Sequence, residues 1–195
     1  STWPSRVSGP RSVSPTKIVV LVGAPVPGVR TVREAPAESD REFSIVYAAD
    51  HGCQVINCSW GTDEESLALK DAIQRAGTRG VIVVSSAGNS GRDIETEPYY
   101  PSSFGLSNQI SVAATDNFDR LASWSNYGAT HVTIAAPGVN ILTTKMGGGY
   151  TTVSGTSAST PMVAGVAGLI KTQRWWLSAA GARAAITDGA RDVAE

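Results

Sequence analysis

The sequence predicts an α/β domain of three layers, a mostly parallel, twisted sheet with helices on both faces. Three observations carry that expectation. The apolar runs KIVVLV at 17–22 and VIVVSS at 81–86 lack the alternation of a strand with one wet face, so they read as strands buried on both sides. Two segments of helical apolar spacing lie between them, giving strand, helix, strand, helix, strand, the order of linked βαβ units. The glycines and prolines fall mostly in the gaps between apolar runs, where they act as turn punctuation.

Taken in order, residues 1–16 are rich in serine, proline and arginine without a period and predict irregular chain. A buried strand follows at 17–22, then a loop broken by Pro25, Pro27, Gly28 and Pro36. Ser39 and Glu42 have capping-box spacing before a helix carrying Phe43, Val46, Tyr47 and Ala49, which stops at Gly52. A strand spans 54–60. Thr62 and Glu65 form a second capping-box spacing, for a helix through Leu67, Leu69, Ala72, Ile73 and Ala76 that stops at Gly77. The strand 81–86 is followed by short strands at 110–114 and 132–135. Segments 141–144 and 150–153 form a hairpin around Gly147-Gly148-Gly149. Helices at 156–172 and from the N-cap Ser178 to about 190 close the chain, and its 195 residues suit a single core.

Composition excludes several classes of function. A formal net charge of −1 with scattered arginines argues against a nucleic-acid partner, which needs a clustered positive field. No stretch approaches the roughly 18 consecutive apolar residues of a membrane span. Cys53 and Cys58 bracket a predicted strand, which would hold them too far apart for a disulfide, so both read as reduced, buried thiols. No metal site is apparent. The chain starts at Ser1 without Met, which reads as a fragment or a processed product.

The segment richest in chemistry is Gly155-Thr156-Ser157-Ala158-Ser159-Thr160-Pro161-Met162-Val163-Ala164-Gly165. A serine in the first turn of an apolar helix lies beside unpaired N–H groups and the positive end of the helix dipole, a setting that favours developing negative charge. The same local pattern also suits a serine that is only an N-cap. In a parallel sheet ligands gather beyond the carboxyl ends of strands. Here those ends carry Ser59-Trp60-Gly61 and Ala87-Gly88-Asn89, each with a glycine that permits close backbone approach.

The segment 155–165 resembles the nucleophile motif of the subtilisin-like serine proteases. Ser85-Ser86-Ala87-Gly88-Asn89-Ser90-Gly91 and Val55-Ile56-Asn57-Cys58-Ser59-Trp60-Gly61 resemble two further blocks of that family. So do Tyr100-Pro101-Ser102-Ser103, Ile110-Ser111-Val112-Ala113-Ala114-Thr115, Trp124-Ser125-Asn126-Tyr127-Gly128 and Ile134-Ala135-Ala136-Pro137-Gly138-Val139, in the family's order. The match runs from about Lys17 to the C-terminus and is weakest over 23–44.

The resemblance implies Ser157 as nucleophile and Asn89 as the side chain donating to the oxyanion. It implies that Ser59, Trp60 and Gly61, with Ser86, Ala87 and Gly88, bind substrate backbone and wall the first specificity pocket. Trp60 and Ala87-Gly88 suggest an apolar wall. The implied partners are proteins or peptides, the implied location is extracellular, and no cofactor is needed for the chemistry. Calcium often stabilises members, but no acidic cluster here compels it.

The family's Asp-Ser/Thr-Gly and His-Gly-Thr-His-Val-Ala-Gly motifs do not occur in this sequence. By the resemblance both would precede Lys17, so residues 1–195 read as a single incomplete catalytic domain whose N-terminal strands are missing. The aspartate strand would lie between those at 17–22 and 54–60. Re-pairing of the flanking strands costs less than a gap with stranded backbone groups. His51 and His131 both precede strands and are expected as surface or helix-end residues at the opposite sheet edge. Asp50, Asp63 and Asp116 are expected as solvated carboxylates or caps. The expectation is an endopeptidase domain that is inactive as this chain. The alternative is a non-catalytic peptide-binding remnant that pairs a strand with segments 59–61 and 86–89.

Overall fold

The computed structural model describes residues 18–21 and 38–192, so the stretches expected at 1–16 and in the loop before α1 lie outside the described residues. Its elements run β1 (Ile18–Leu21), α1 (Glu38–Asp50), β2 (Val55–Cys58), α2 (Leu67–Thr78), β3 (Ile82–Ser86), a 3-10 turn (Ser102–Phe104) and β4 (Gln109–Thr115). They continue β5 (Ile134–Pro137), β6 (Ile141–Thr144), β7 (Tyr150–Val153), α3 (Thr156–Gln173) and α4 (Ala179–Asp188). Strands β1 to β5 form one parallel sheet in chain order, and β6 pairs antiparallel with β7.

The two-residue period of the strands sorts their side chains into two cores. Ile56, Cys58 and Val83 join Ile45, Leu69 and Ile73 on the side of α1 and α2. Val55, Ile82, Val84, Ile110 and Val112 join Val163, Ala164, Ala167 and Ile186 on the side of α3 and α4. The strand members of both sets are fully buried, and each such branched side chain stabilises by about 1.5–3 kcal/mol. That double burial is why the strands read as continuous apolar runs, and it makes the three layers that the sequence predicts.

Strand β1 pairs directly with β2, from Ile18 opposite Val55 to Leu21 opposite Cys58. The two strands are therefore direct neighbours in the sheet, with their backbone groups paired. Cys53 and Cys58 are buried and form no disulfide. Among the described residues no helix is long and apolar enough to cross a membrane.

Several predicted boundaries need correction. Ser39 is not a cap, because α1 already begins at Glu38. Thr62 does not cap α2 either. Its backbone N–H donates to the Tyr100 carbonyl and its carbonyl accepts from Tyr100 N–H, both at 2.8 Å, which holds it extended. The helix therefore waits for Ser66, whose Oγ accepts from Leu69 N–H at 3.2 Å and donates to Glu42 Oε1 at 2.9 Å, tying α2 to α1. The strand expected over 54–60 is shortened to Val55–Cys58, because its pairing with β3 ends at Cys58 opposite Ser85. The strand expected at 132–135 begins two residues later, where its register with β4 starts at Val112 opposite Ile134. The hairpin and the Ser178 cap stand where the sequence puts them.

Candidate active site

Helix α3 starts at the carboxyl edge of the sheet. Gly155 is its N-cap, at φ +154°, and its N–H donates to the Gly138 carbonyl at 2.9 Å. Ser157 is thus the second helical residue, not a cap, which removes the simpler reading of that serine. Pro161 in the next turn has no N–H for the Ser157 carbonyl four residues back. Ser59 Oγ takes that place, donating to the carbonyl at 3.0 Å while accepting from Asn57 Nδ2 at 2.9 Å. A proline in α3 and a serine at the end of β2 thereby lock the first turn of the helix against the sheet.

The loop after β3 brings Asn89 to the same place. Asn89 Oδ1 accepts from both Thr156 N–H at 2.8 Å and Thr156 Oγ1 at 2.9 Å. With the amide oxygen engaged, the Nδ2 group is left to face the opening, and among the described residues it has no acceptor. Thr156 is fully buried, and its Oγ1 also accepts from Gly88 N–H at 3.2 Å. A Cβ placed on Gly155 would lie 3.1 Å from Ser157 Oγ and 3.6 Å from Asn89 Nδ2. Ser157 Oγ and Asn89 Nδ2 therefore look onto one small space that only glycine keeps open. Ser157 N–H, one of the unpaired amides of the first turn, has no acceptor among the described residues.

The predicted substrate-binding segments converge beside this space. Ser86 Oγ reaches the Trp60 carbonyl at 3.4 Å, and a Cβ on Gly61 would meet the Tyr99 ring at 2.3 Å. Trp60 is half-buried under the Arg41 guanidinium, 4.9 Å above its ring. Ala87 N–H donates to the Val112 carbonyl at 3.0 Å, and Gly88 takes φ +103°. On the other flank of Ser157 a groove of about 490 Å³ runs between the hairpin and α3, walled by Ile141, Leu142, Val153, Ala158, Pro161 and Met162.

Neither histidine approaches the serine. His51 follows α1, stacks on Tyr47 at 3.8 Å and bonds through Nδ1 to the Tyr47 carbonyl at 2.8 Å. His131 precedes β5 at the opposite sheet edge, as expected, but it is not a plain surface residue. It is half-buried with its Nδ1 2.7 Å from Glu95 Oε2, and its N–H donates to Glu95 Oε1 at 2.8 Å. Hydrogen bonds from the Thr130 side chain and from the His131 and Thr130 amides pull the Glu95 carboxyl down to about 2. Asp116 caps its own turn through the Phe118 and Arg120 amides, whereas Asp63 and Asp50 pair with Arg92 and Arg79.

Sequence reasoning missed the clamp role of Thr156, which no residue-type signal marks apart from its place before the serine. Among the described residues no group of three or more His, Cys, Asp or Glu is placed to hold a metal.

Comparison with known proteins sets this geometry in context. The model of the subtilase family matches residues 19–195. Thermitase of Thermoactinomyces vulgaris is 44% identical over 149 residues, which cover 76% of this chain and 50% of the relative. The thermophilic serine proteinase of Bacillus sp. (strain AK1) is 46% identical over 69% of this chain and 32% of the relative. A cold-adapted subtilisin-like serine proteinase of known structure superposes with a TM-score of 0.73 at 31% identity, covering 81% of this chain and 58% of that one. The chain spans about half the length, or less, of these curated relatives. With a family model covering nearly all of it and a fold to match, the chain belongs to the subtilase family.

Proposed function

We propose that this chain carries the nucleophile and oxyanion half of a serine endopeptidase centre that acts on protein or peptide substrates. The observation behind it is the convergence of Ser157 Oγ and Asn89 Nδ2 on the space at Gly155. Ser157 Oγ would attack the scissile carbonyl carbon, and the negative charge gathering on its oxygen would be accepted by Asn89 Nδ2–H and Ser157 N–H. The hydroxyl proton needs a base within hydrogen-bond reach, and both histidines of the sequence are held elsewhere. Residues 1–195 alone therefore hydrolyse peptide bonds negligibly. In subtilisin itself, a member of this family, removing the histidine costs roughly 10⁶-fold in turnover.

The segments 59–61 and 86–88 are the natural seat for an extended substrate backbone. The chemistry as proposed draws only on side chains and amides, with no cofactor. An extracellular setting fits the family resemblance, and any calcium would be structural. The Ser157 hydroxyl, without a hydrogen-bond partner among the described residues, also favours a second reading, a peptide-binding module that does no chemistry.

The test is hydrolysis of a p-nitrophenyl ester by the full chain in imidazole buffer, with free imidazole as the external base. We expect slow turnover above the imidazole-only rate that is abolished in S157A. Turnover unaffected by S157A would refute the nucleophile and leave the binding reading. Conversely, a fluorophosphonate probe labelling Ser157 at a protease-like rate without imidazole would refute the inactivity of the chain.

A further inference from the structure

Asn126 lies in the Trp124-Ser125-Asn126-Tyr127-Gly128 block, to which the site described above gives no task. We propose that Asn126 is the positioning residue of the oxyanion donor: it aims Asn89 without touching substrate. The inference rests on the reading of Asn89 as that donor.

Asn126 is fully buried, and its polar groups bracket Asn89 on both sides. Its Nδ2 donates to the Ala87 carbonyl at 2.9 Å and its backbone N–H to the Gly88 carbonyl at 2.9 Å. Its Oδ1 accepts from Ser90 N–H at 2.9 Å and Arg92 N–H at 3.3 Å. Residues 87, 88, 90 and 92 are thus held by this one residue, while Asn89 at their centre is left to the Thr156 clamp and the opening.

The fit is close. A Cβ on Gly88 would stand 2.3 Å from Asn126 Nδ2, so the carboxamide lies in space that only glycine at 88 leaves free. Only a carboxamide serves both ends. Aspartate keeps the acceptor for Ser90 and Arg92 but sets a charge against the Ala87 carbonyl, and leucine keeps neither function.

The loop has other ties. Gly91 N–H donates to the Trp124 carbonyl at 2.8 Å, Tyr127 N–H to the Arg92 carbonyl at 3.1 Å, and Ile94 N–H to the Tyr127 carbonyl at 2.8 Å. Loss of the Asn126 side chain should therefore release the aim of Asn89 before it unfolds the loop. A displacement of ~1 Å at a reacting centre costs about 10²-fold in rate.

The experiment compares N126L, N126D, N89A and N89A/N126L in the imidazole-dependent ester assay on the full chain, with thermal melting of each variant. Expected are a loss of about 10²-fold in kcat with KM unchanged in both Asn126 variants, and a double variant no slower than N89A alone. Losses that multiply, or a kcat within twofold of the parent, would overturn the proposal. N126D decides if N126L does not fold.

Nitrogen-15 NMR gives a readout independent of turnover. In N126D the Asn89 side-chain amide signals should shift, and exchange of its neighbours' amides should quicken. An Asn89 amide pair unmoved in N126D would overturn the inference. A parent chain without Ser157-dependent turnover would instead refute the nucleophile reading, and the NMR result would still decide the role of Asn126.

Discussion

Replacing Thr156 with valine tests how the site is built, because it removes two hydrogen bonds and almost no volume. Thr156 is fully buried, and its Oγ1 both accepts from Gly88 N–H and donates to Asn89 Oδ1. Valine keeps the backbone bond from residue 156 to Asn89. Asn89 is exposed, so water can replace most of what its oxygen loses, at about 0.5–1 kcal/mol. Gly88 is buried, and its N–H is left unpaired at a cost of about 1–3 kcal/mol. Together T156V should destabilise by about 1.5–4 kcal/mol, a large share of the 5–15 kcal/mol typical of a domain. Urea unfolding should show this as a lower midpoint at unchanged slope. T156S, which keeps the hydroxyl and loses one methyl, should cost about 1 kcal/mol. If T156S proves the worse variant, or T156V costs under about 0.5 kcal/mol, packing rather than the hydrogen-bond clamp holds Asn89.

Two other predictions concern ionisation. The Glu95 carboxyl is depressed from 4.5 to about 2 by its bonds to Thr130 and His131, so its contribution to stability is complete above pH 4.5 and is lost as pH falls towards 2. The stability difference between the parent and E95Q should be widest near neutrality and close over that acid window; a difference independent of pH refutes it. Burial raises the Cys58 thiol from 9.0 to about 12, so its thiolate is confined to the unfolded chain near pH 9. Iodoacetamide at pH 9 should therefore modify Cys58 only in denaturant, and rapid alkylation of the native chain would contradict the burial.

How far the sequence could be read depended on the range of the forces involved. Strands β2 and β3 announce themselves in local pattern, because burial on both faces makes their runs largely apolar. The hairpin and the Ser178 cap are equally local. Thr62 misled because its fate is settled by a backbone partner at Tyr100, 38 residues away in sequence, and capping-box spacing carries no information about that. His131 misled in the same way: its half-buried pairing depends on Glu95, which sequence distance conceals. That Ser157 and Asn89 lie together was legible through the resemblance. The residues that hold them, Thr156 and Asn126, were not, since a buried threonine and a buried asparagine acquire their roles only from the carbonyls and amides placed around them.

This distribution has a chemical consequence. Stabilising an oxyanion needs donors fixed before the charge appears, because a donor that must reorient spends in that motion what it would give to the transition state. The groups that fix Asn89 and the Ser157 amide here come from the segments after β2 and β3, from Val112 in β4, Gly138 after β5, the 123–127 segment and the first turn of α3. Under the proposed function, Ser157 and its donors therefore form a structural unit separable from whatever group takes the proton. A base can be lacking while the oxyanion pocket stays set, and an external base such as imidazole should expose the catalysis that the pocket alone supplies. Were the donors instead organised by the base, the Ser157-dependent turnover seen with imidazole would be indifferent to loss of the Asn89 or Asn126 side chain.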